Sequence, residues 1–214
     1  MEGRMNIDDL KGAIGTIAAT MKENRDYLVE LDQRNGDGDL GITMADGYGA
    51  IASWLAASDE KDLGRALMKC SSIFNEKAPS TLGTITSLCL MAMAKSLKGK
   101  TEASLAELAA ALESGIAQIM AKAQSKPGDK TILDSLAPAA AALAANATAP
   151  CGMAFEAAAL AAAAGSEATK AMRAIHGRAA YYGDKSIGII DGGSVVGKLI
   201  FESIAAYCAK EGRG

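Results

Sequence analysis

Apolar residues recur at three- and four-residue intervals along almost the whole chain, and strand-like alternation is nearly absent. The pattern predicts an all-α protein. Leu10, Ile14, Ile17 and Met21 share one face of a first helix over 6–22, and a shorter piece carries Tyr27, Leu28 and Leu31. A second long helix is expected over 41–56 and a third over 61–75, divided by Ser58-Asp59-Glu60. The fourth runs over 80–95, behind Ala78-Pro79. Ser104 and Glu107 have capping-box spacing at the start of the fifth, whose stripe continues through Leu108, Ala111, Leu112, Ile116, Ile119 and Met120. The sixth follows Pro127-Gly128-Asp129, with Asp129 as its N-cap and Pro138 as a source of bending. An Ala-rich seventh covers 153–175 and an eighth 194–209, with Val195, Leu199, Ile204 and Tyr207. Short loops between most of them imply antiparallel neighbours.

Two connections stand apart. His176 to Gly193 is long, and long loops in compact domains are commonly functional. The other joins the first two long helices through Asp32-Gln33-Arg34-Asn35-Gly36-Asp37-Gly38-Asp39-Leu40-Gly41. In an up-and-down arrangement these two connections have equal parity and occupy the same end. Asp37 and Asp39 alternate with glycines, which leave backbone freedom and no side chain to block convergence, and Asp32 adds a third carboxylate. Three like charges so close call for a cation or for protons. Mg²⁺ suits oxygen ligands and bridges carboxylates to phosphate. The helix opening at Gly41-Ile42-Thr43-Met44 would offer the same phosphate its free amides and positive dipole end. Two plainer readings compete. An EF-hand loop beginning at Asn35 has Leu40 in place of the sixth-position Gly and Asp46 in place of the twelfth-position Glu. A solvated helix-capping turn is the other.

Composition narrows the field. The 214 residues suffice for one domain, taken as 1–214, and with 50% apolar but only 4% aromatic residues its core must rest on Ala, Leu, Ile and Met. Met44, Met68, Met91, Met93 and Met120 are expected as core filler. A net charge of −3 without a Lys/Arg run argues against nucleic acid. Cys70, Cys89, Cys151 and Cys208 are scattered in apolar surroundings, which predicts buried free thiols and fits a cytoplasmic location. No signal segment or membrane span is expected; the nearest candidate, 152–165, is Ala-dominated and contains Glu156. Gly128-Asp129-Lys130-Thr131 is not a P-loop, because Asp129 separates Gly from Lys and no strand precedes it. His176, the one histidine, is expected to interact with a helix C-terminus, and Arg178 is by itself an exposed loop arginine.

Taken together, Gly36-Asp37-Gly38-Asp39-Leu40-Gly41, Pro127-Gly128-Asp129-Lys130-Thr131, Gly177-Arg178-Ala179-Ala180-Tyr181, Ser186-Ile187-Gly188 and Asp191-Gly192-Gly193 give the chain its most specific pattern. In this order and spacing it resembles the nucleotide-binding L subunit of bacterial dihydroxyacetone kinases over nearly its whole length. The resemblance implies a barrel of eight antiparallel amphipathic helices with ADP or ATP at one end. It implies two Mg²⁺ on Asp32, Asp37 and Asp39, phosphate contacts at Leu40, Gly41, Ile42 and Thr43, and a small-residue turn at Ser80 and Thr81. Ile132 and Ala123 would lie near the base, Arg178 would contact the nucleotide, and Asp191, Gly192 and Gly193 would close the site. It gives no certain catalytic residue. Many members have His at the position of Leu40 and Pro at that of Gly192, so substrate or phosphoryl donor can differ.

The implied activity is phosphoryl transfer from ATP to dihydroxyacetone or a similar ketose held by a partner K subunit (DhaK-like). A phosphohistidine protein of the sugar phosphotransferase system (DhaM-like) is a further implied partner, and self-association into a homodimer stays open. Two alternatives remain beside it: a nucleotide domain for another substrate, whether another ketose or a fatty acid, and a non-catalytic nucleotide-dependent regulator.

Overall fold

The structure, a computed structural model, describes residues 3–212. The expected helices form, each where its apolar stripe finds a partner. They are α1 (Ile7–Glu23), α2 (Arg25–Gln33), α3 (Leu40–Ala57), α4 (Leu63–Lys77), α5 (Thr81–Ser96), α6 (Leu105–Ala123), α7 (Leu133–Ala145), α8 (Cys151–Ala168) and α9 (Gly192–Lys210). Apart from the short α2, each helix packs on the next, and α9 returns onto α1, so eight helices close a ring. Capping signals act where the sequence placed them at α6, where Ser104 and Glu107 form a reciprocal box. Asn6 and Asp9 do the same for α1.

Two apolar clusters fill the ring. One joins α1 to α5 and α9 through Ile17, Met21, Leu28, Met44, Ile51, Phe74 and Val196, with the Tyr48 and Phe74 rings edge to face at 4.9 Å. The other joins α6 to α9 through Leu105, Ile116, Ile119, Leu136, Leu143, Phe155 and Phe201. Alanine and glycine let α7 and α8 approach closely. Pro138 lacks an N–H, so the Asp134 carbonyl four residues earlier is free of an intrahelical bond, and Gly165 of α8 packs directly on it.

Several expectations need correction. A two-stranded antiparallel ladder, β1 (Arg4–Asn6) with β2 (Glu102–Ser104), had no alternation to announce it, since three residues are too few. The Ala-rich helix stops at Ala168, not Ile175, and passes into a 3₁₀ turn at Thr169–Ala171. Asp129 does not cap α7. The Thr131 hydroxyl accepts from the Leu133 amide at the start of α7 instead, while Asp134, inside the first turn, accepts from the Gly128 and Thr131 amides of the turn before it. Met44 is fully buried, but Met68 and Met120 are 40% and 37% exposed and cannot be core filler. All four cysteines are buried, and the Cys151 and Cys208 sulfurs lie 3.7 Å apart. Among the described residues no helix is long and apolar enough to cross a membrane.

The α7–α8 contact generates a paired prediction. A Cβ at Gly165 would lie 1.9 Å from the Asp134 carbonyl oxygen, whereas one at Gly15 meets nothing within 4 Å. Urea denaturation should show Gly165→Ala destabilised by about 1–3 kcal/mol through backbone separation. Gly15→Ala should be stabilised by roughly 0.5–1 kcal/mol through helix propensity.

Candidate functional site

Helices α3, α5, α7 and α9 all begin at one end of the ring, around a cavity of about 640 Å³. Its walls include Leu40, Thr81, Ile132 and Gly192, at or beside the first residues of those four helices. Four helix N-termini therefore turn their positive dipole ends to one space, which favours an anion, although the first amides of α7 are already taken by Thr131 and Ile132. The acidic turn and the long loop also meet here, as their parity required.

The acidic turn is shaped to gather its carboxylates. Asp32 leaves the last turn of α2, and its Oδ2 accepts from the Gly38 amide at 2.8 Å. Gly38 has φ +79°, which glycine adopts without strain, and a Cβ at Gly36 would sit 2.2 Å from Asp32 Oδ1. Asp39 occupies the N-cap position of α3 but makes no side-chain cap bond, so the plain capping reading fails for it. One oxygen each from Asp32, Asp37 and Asp39 falls within 4.8 Å of the others. Burial first, then the Asp37 and Asp32 charges, raise the Asp39 carboxyl above its ordinary value, while Arg178 opposes them. Arg178 Nη2 stands 2.5 Å from Asp37 Oδ2. Asn35 also lines the cavity, and its Oδ1 is buried without a hydrogen-bond partner. The all-oxygen set of three carboxylates fits a hard divalent cation.

Of the residues expected at a nucleotide, Asp32, Asp37, Asp39, Leu40, Ser80, Thr81, Ile132, Arg178, Asp191, Gly192 and Gly193 line the cavity. Gly41, Ile42, Thr43 and Ala123 do not. Gly41 is buried against the Arg25 carbonyl, where a Cβ would meet it at 2.0 Å, and Ile42 is 40% exposed. The Thr43 amide is bonded to the Asp39 carbonyl, and its Oγ1 donates to Asp39 and Leu40 carbonyls and accepts from Ser80 Oγ. Ala123 sits in the last turn of α6 against the second apolar cluster.

His176 was misplaced from the sequence. With α8 ending early, it lies at no helix end; its Nε2 is 3.0 Å from Asp129 Oδ2, and it lines the cavity. Burial works to raise the Asp129 carboxyl, but the Lys126 amide and His176 outweigh it and hold the group below its usual value. Asn35, Lys130 and His176 line the cavity without having been expected there. Asn35 sat in the acidic turn and Lys130 in the 127–131 motif, and His176 carried no signal of its own.

Asp191 caps α9 through Ser194 N at 2.6 Å. Burial pushes its carboxyl up to about 7, against the Ser194 bond and Lys130 and with help from Asp134 and Asp32.

With this geometry described, the comparisons with known proteins can be set beside it. The DAK2 domain model matches residues 35–206, and the chain belongs to that family. It is 29% identical to the PEP-dependent dihydroxyacetone kinase, ADP-binding subunit DhaL, of Escherichia coli K12, covering 92% of this chain and 93% of that one. It is also 33% identical to the triokinase/FMN cyclase of Rattus norvegicus over 88% of this chain, but only 33% of that protein. The chain thus spans about a third of such relatives. Among solved structures, the dihydroxyacetone kinase of C. freundii in complex with AMP-PNP and Mg²⁺ superposes with a TM-score of 0.75 at 26% identity, over 92% of this chain and 33% of that one.

The raised Asp191 carboxyl sets a pH dependence. Below the unfolded carboxylate value of about 4 both states hold the proton; between there and about 7 only the folded state does. Stability from this group is therefore present at low pH and lost as pH rises towards 7. Without metal or nucleotide, carboxyl NMR should find Asp191 titrating near 7, and Asp191→Asn, which keeps the cap, should remove that part of the pH slope.

Proposed function

We propose that this chain is the nucleotide-binding subunit of a dihydroxyacetone-type kinase, presenting the γ-phosphate of ATP to a short-chain ketose held by a partner subunit. The observation that carries this is the convergence of three carboxylates and four helix N-termini on one cavity. Either feature alone is common; together they suit a polyphosphate whose charge is shared with metal. The names of the E. coli and C. freundii relatives support the same reading.

Asp32, Asp37 and Asp39 would hold the Mg²⁺, with Asn35 Oδ1 as a neighbouring oxygen. Bound Mg²⁺ supplies charge neutralisation and a fixed orientation for the phosphates. Phosphoryl transfer asks little more of a protein, because its loose transition state depends on positioning and electrostatics. The amides at the starts of α3, α5 and α9 take phosphate oxygens. Leu40, which lines the cavity, contributes through its backbone at the α3 N-terminus; Gly41 and Ile42 lie off the wall, and the Thr43 amide is used by Asp39. Ile132 offers an apolar contact to the base. Arg178, once Asp37 turns to metal, has its forked donors available for phosphate. The wall includes no cysteine, and its hydroxyls at Ser80, Thr81, Thr84 and Thr131 sit without a histidine base in hydrogen-bond contact, so no covalent relay is required. The ketose then enters from the open side, on the partner.

Binding and turnover test this in separate steps. Calorimetry should give Mg²⁺-dependent binding of ADP or an ATP analogue, lost with chelator and weakened on the order of 100-fold or more by Asp37→Ala. Unchanged affinity in either case refutes the metal role. Mixed with a ketose-binding partner, ATP and Mg²⁺, the chain should phosphorylate a short-chain ketose; binding without turnover across such partners and ketoses would favour a regulator instead.

A further inference from the structure

Lys130 is 3% exposed, and its ammonium lies among four backbone carbonyl oxygens: Thr169 at 2.9 Å, Met172 at 3.1 Å, Ser186 at 2.7 Å and Ile189 at 2.6 Å. We propose that these carbonyls form a cation cage that Lys130 fills from within the chain, and that this makes Lys130 the positioning residue for the loop carrying Arg178. The role in nucleotide binding rests on the function proposed above; the cage itself does not.

The topology gives the contact its leverage. Two of the carbonyls precede the 3₁₀ segment Arg178–Ser186 and two lie at or beyond its end, so one side chain ties both ends of a loop of irregular backbone. An ammonium has three protons for four acceptors, so the fourth oxygen is held by charge, as around a bare cation. The backbone at Lys130 has φ +63°, which suits glycine or asparagine better. What the position gains in return is the side chain. Burial lowers the Lys130 ammonium below its ordinary value and the nearby Asp191 opposes that shift.

The neighbouring contacts align with it. Asp129, one residue earlier, accepts from His176 Nε2 and offers its carbonyl to the Ile175 amide at 3.4 Å. The buried Ser186 accepts from the Ala174 amide at 3.0 Å and donates to the Gly183 carbonyl at 2.6 Å. Arg178 is itself 66% exposed and meets the rest of the protein through Asp37. Its approach to the acidic turn therefore depends on where the loop is anchored. In a P-loop the lysine points at phosphate; here the ammonium is spent on carbonyls, and its effect on the cavity passes through the loop.

Lys130→Gly empties the cage and relieves the positive φ, which makes rescue the decisive readout. In nucleotide-free protein, backbone amides over 169–191 should exchange at least about tenfold faster, with the α3 to α6 core unchanged. Millimolar butylammonium should restore protection; tetramethylammonium, a cation without donors, should not. Nucleotide affinity with Mg²⁺ should fall about tenfold and recover with butylammonium alone. Wild-type exchange in the variant, or equal response to the two cations, would overturn the proposal. If Lys130→Gly does not fold, Lys130→Met keeps the methylenes and removes the charge, and wild-type exchange over 169–191 in that variant overturns the proposal equally. Wild-type protein that binds no nucleotide would refute the kinase reading, and the exchange comparison would still decide the cage.

Discussion

Mutual repulsion among Asp32, Asp37 and Asp39 is the constraint around which this end of the molecule is organised. At separations near 4.8 Å each pair costs on the order of a few kcal/mol before solvent screening. In the protein alone the opposing terms are one guanidinium and the Gly38 amide on Asp32, while burial and the neighbouring charges raise the Asp39 carboxyl above its ordinary value. None of these neutralises the cluster. A turn that gathers three carboxylates in this way suits a cation, which is the role proposed for it.

The helical ring answers that constraint with geometry. Because the long helices alternate in direction around the cavity, four of them start at its wall and turn their positive dipole ends to it, and the starts of α3, α5 and α9 are where the proposed anion would be held. Metal and dipoles then attract the same polyphosphate. The opposite wall is irregular backbone, and its placement falls to the turn between α6 and α7: Asp129 takes His176, Lys130 takes the loop carbonyls, and Asp134 takes the amides before α7. A half-buried acidic cap on α9, Asp191, completes the rim at the cost of a carboxyl pushed up to about 7.

Much of this was legible in the sequence. Helical periodicity placed every long helix, since each buries one stripe against neighbours, and the glycine-spaced aspartates announced their convergence. What failed had specific physical causes. The helical pattern of α8 runs on through Lys170 to Ile175 without a proline or glycine, so nothing local marks its end at Ala168; the cage around Lys130, built from carbonyls 39 to 59 residues away, takes over there. Asp129 and Thr131 are both plausible caps by type, and only the turn's path aims the Thr131 hydroxyl at the Leu133 amide. Thr43 and Ala123, which the family pattern implied, lie off the cavity wall: the Thr43 amide is bonded to Asp39, and Ala123 is half-buried against the second apolar cluster.

Crystals grown with Mn²⁺ and a non-hydrolysable ATP analogue would test the central claim most directly through anomalous scattering. The account predicts metal peaks between Asp32, Asp37 and Asp39, triphosphate at the starts of α3, α5 and α9, and Arg178 withdrawn from Asp37 towards phosphate. An acidic turn without metal, its Asp37 and Arg178 still paired while nucleotide occupies the cavity or binds elsewhere, would contradict it.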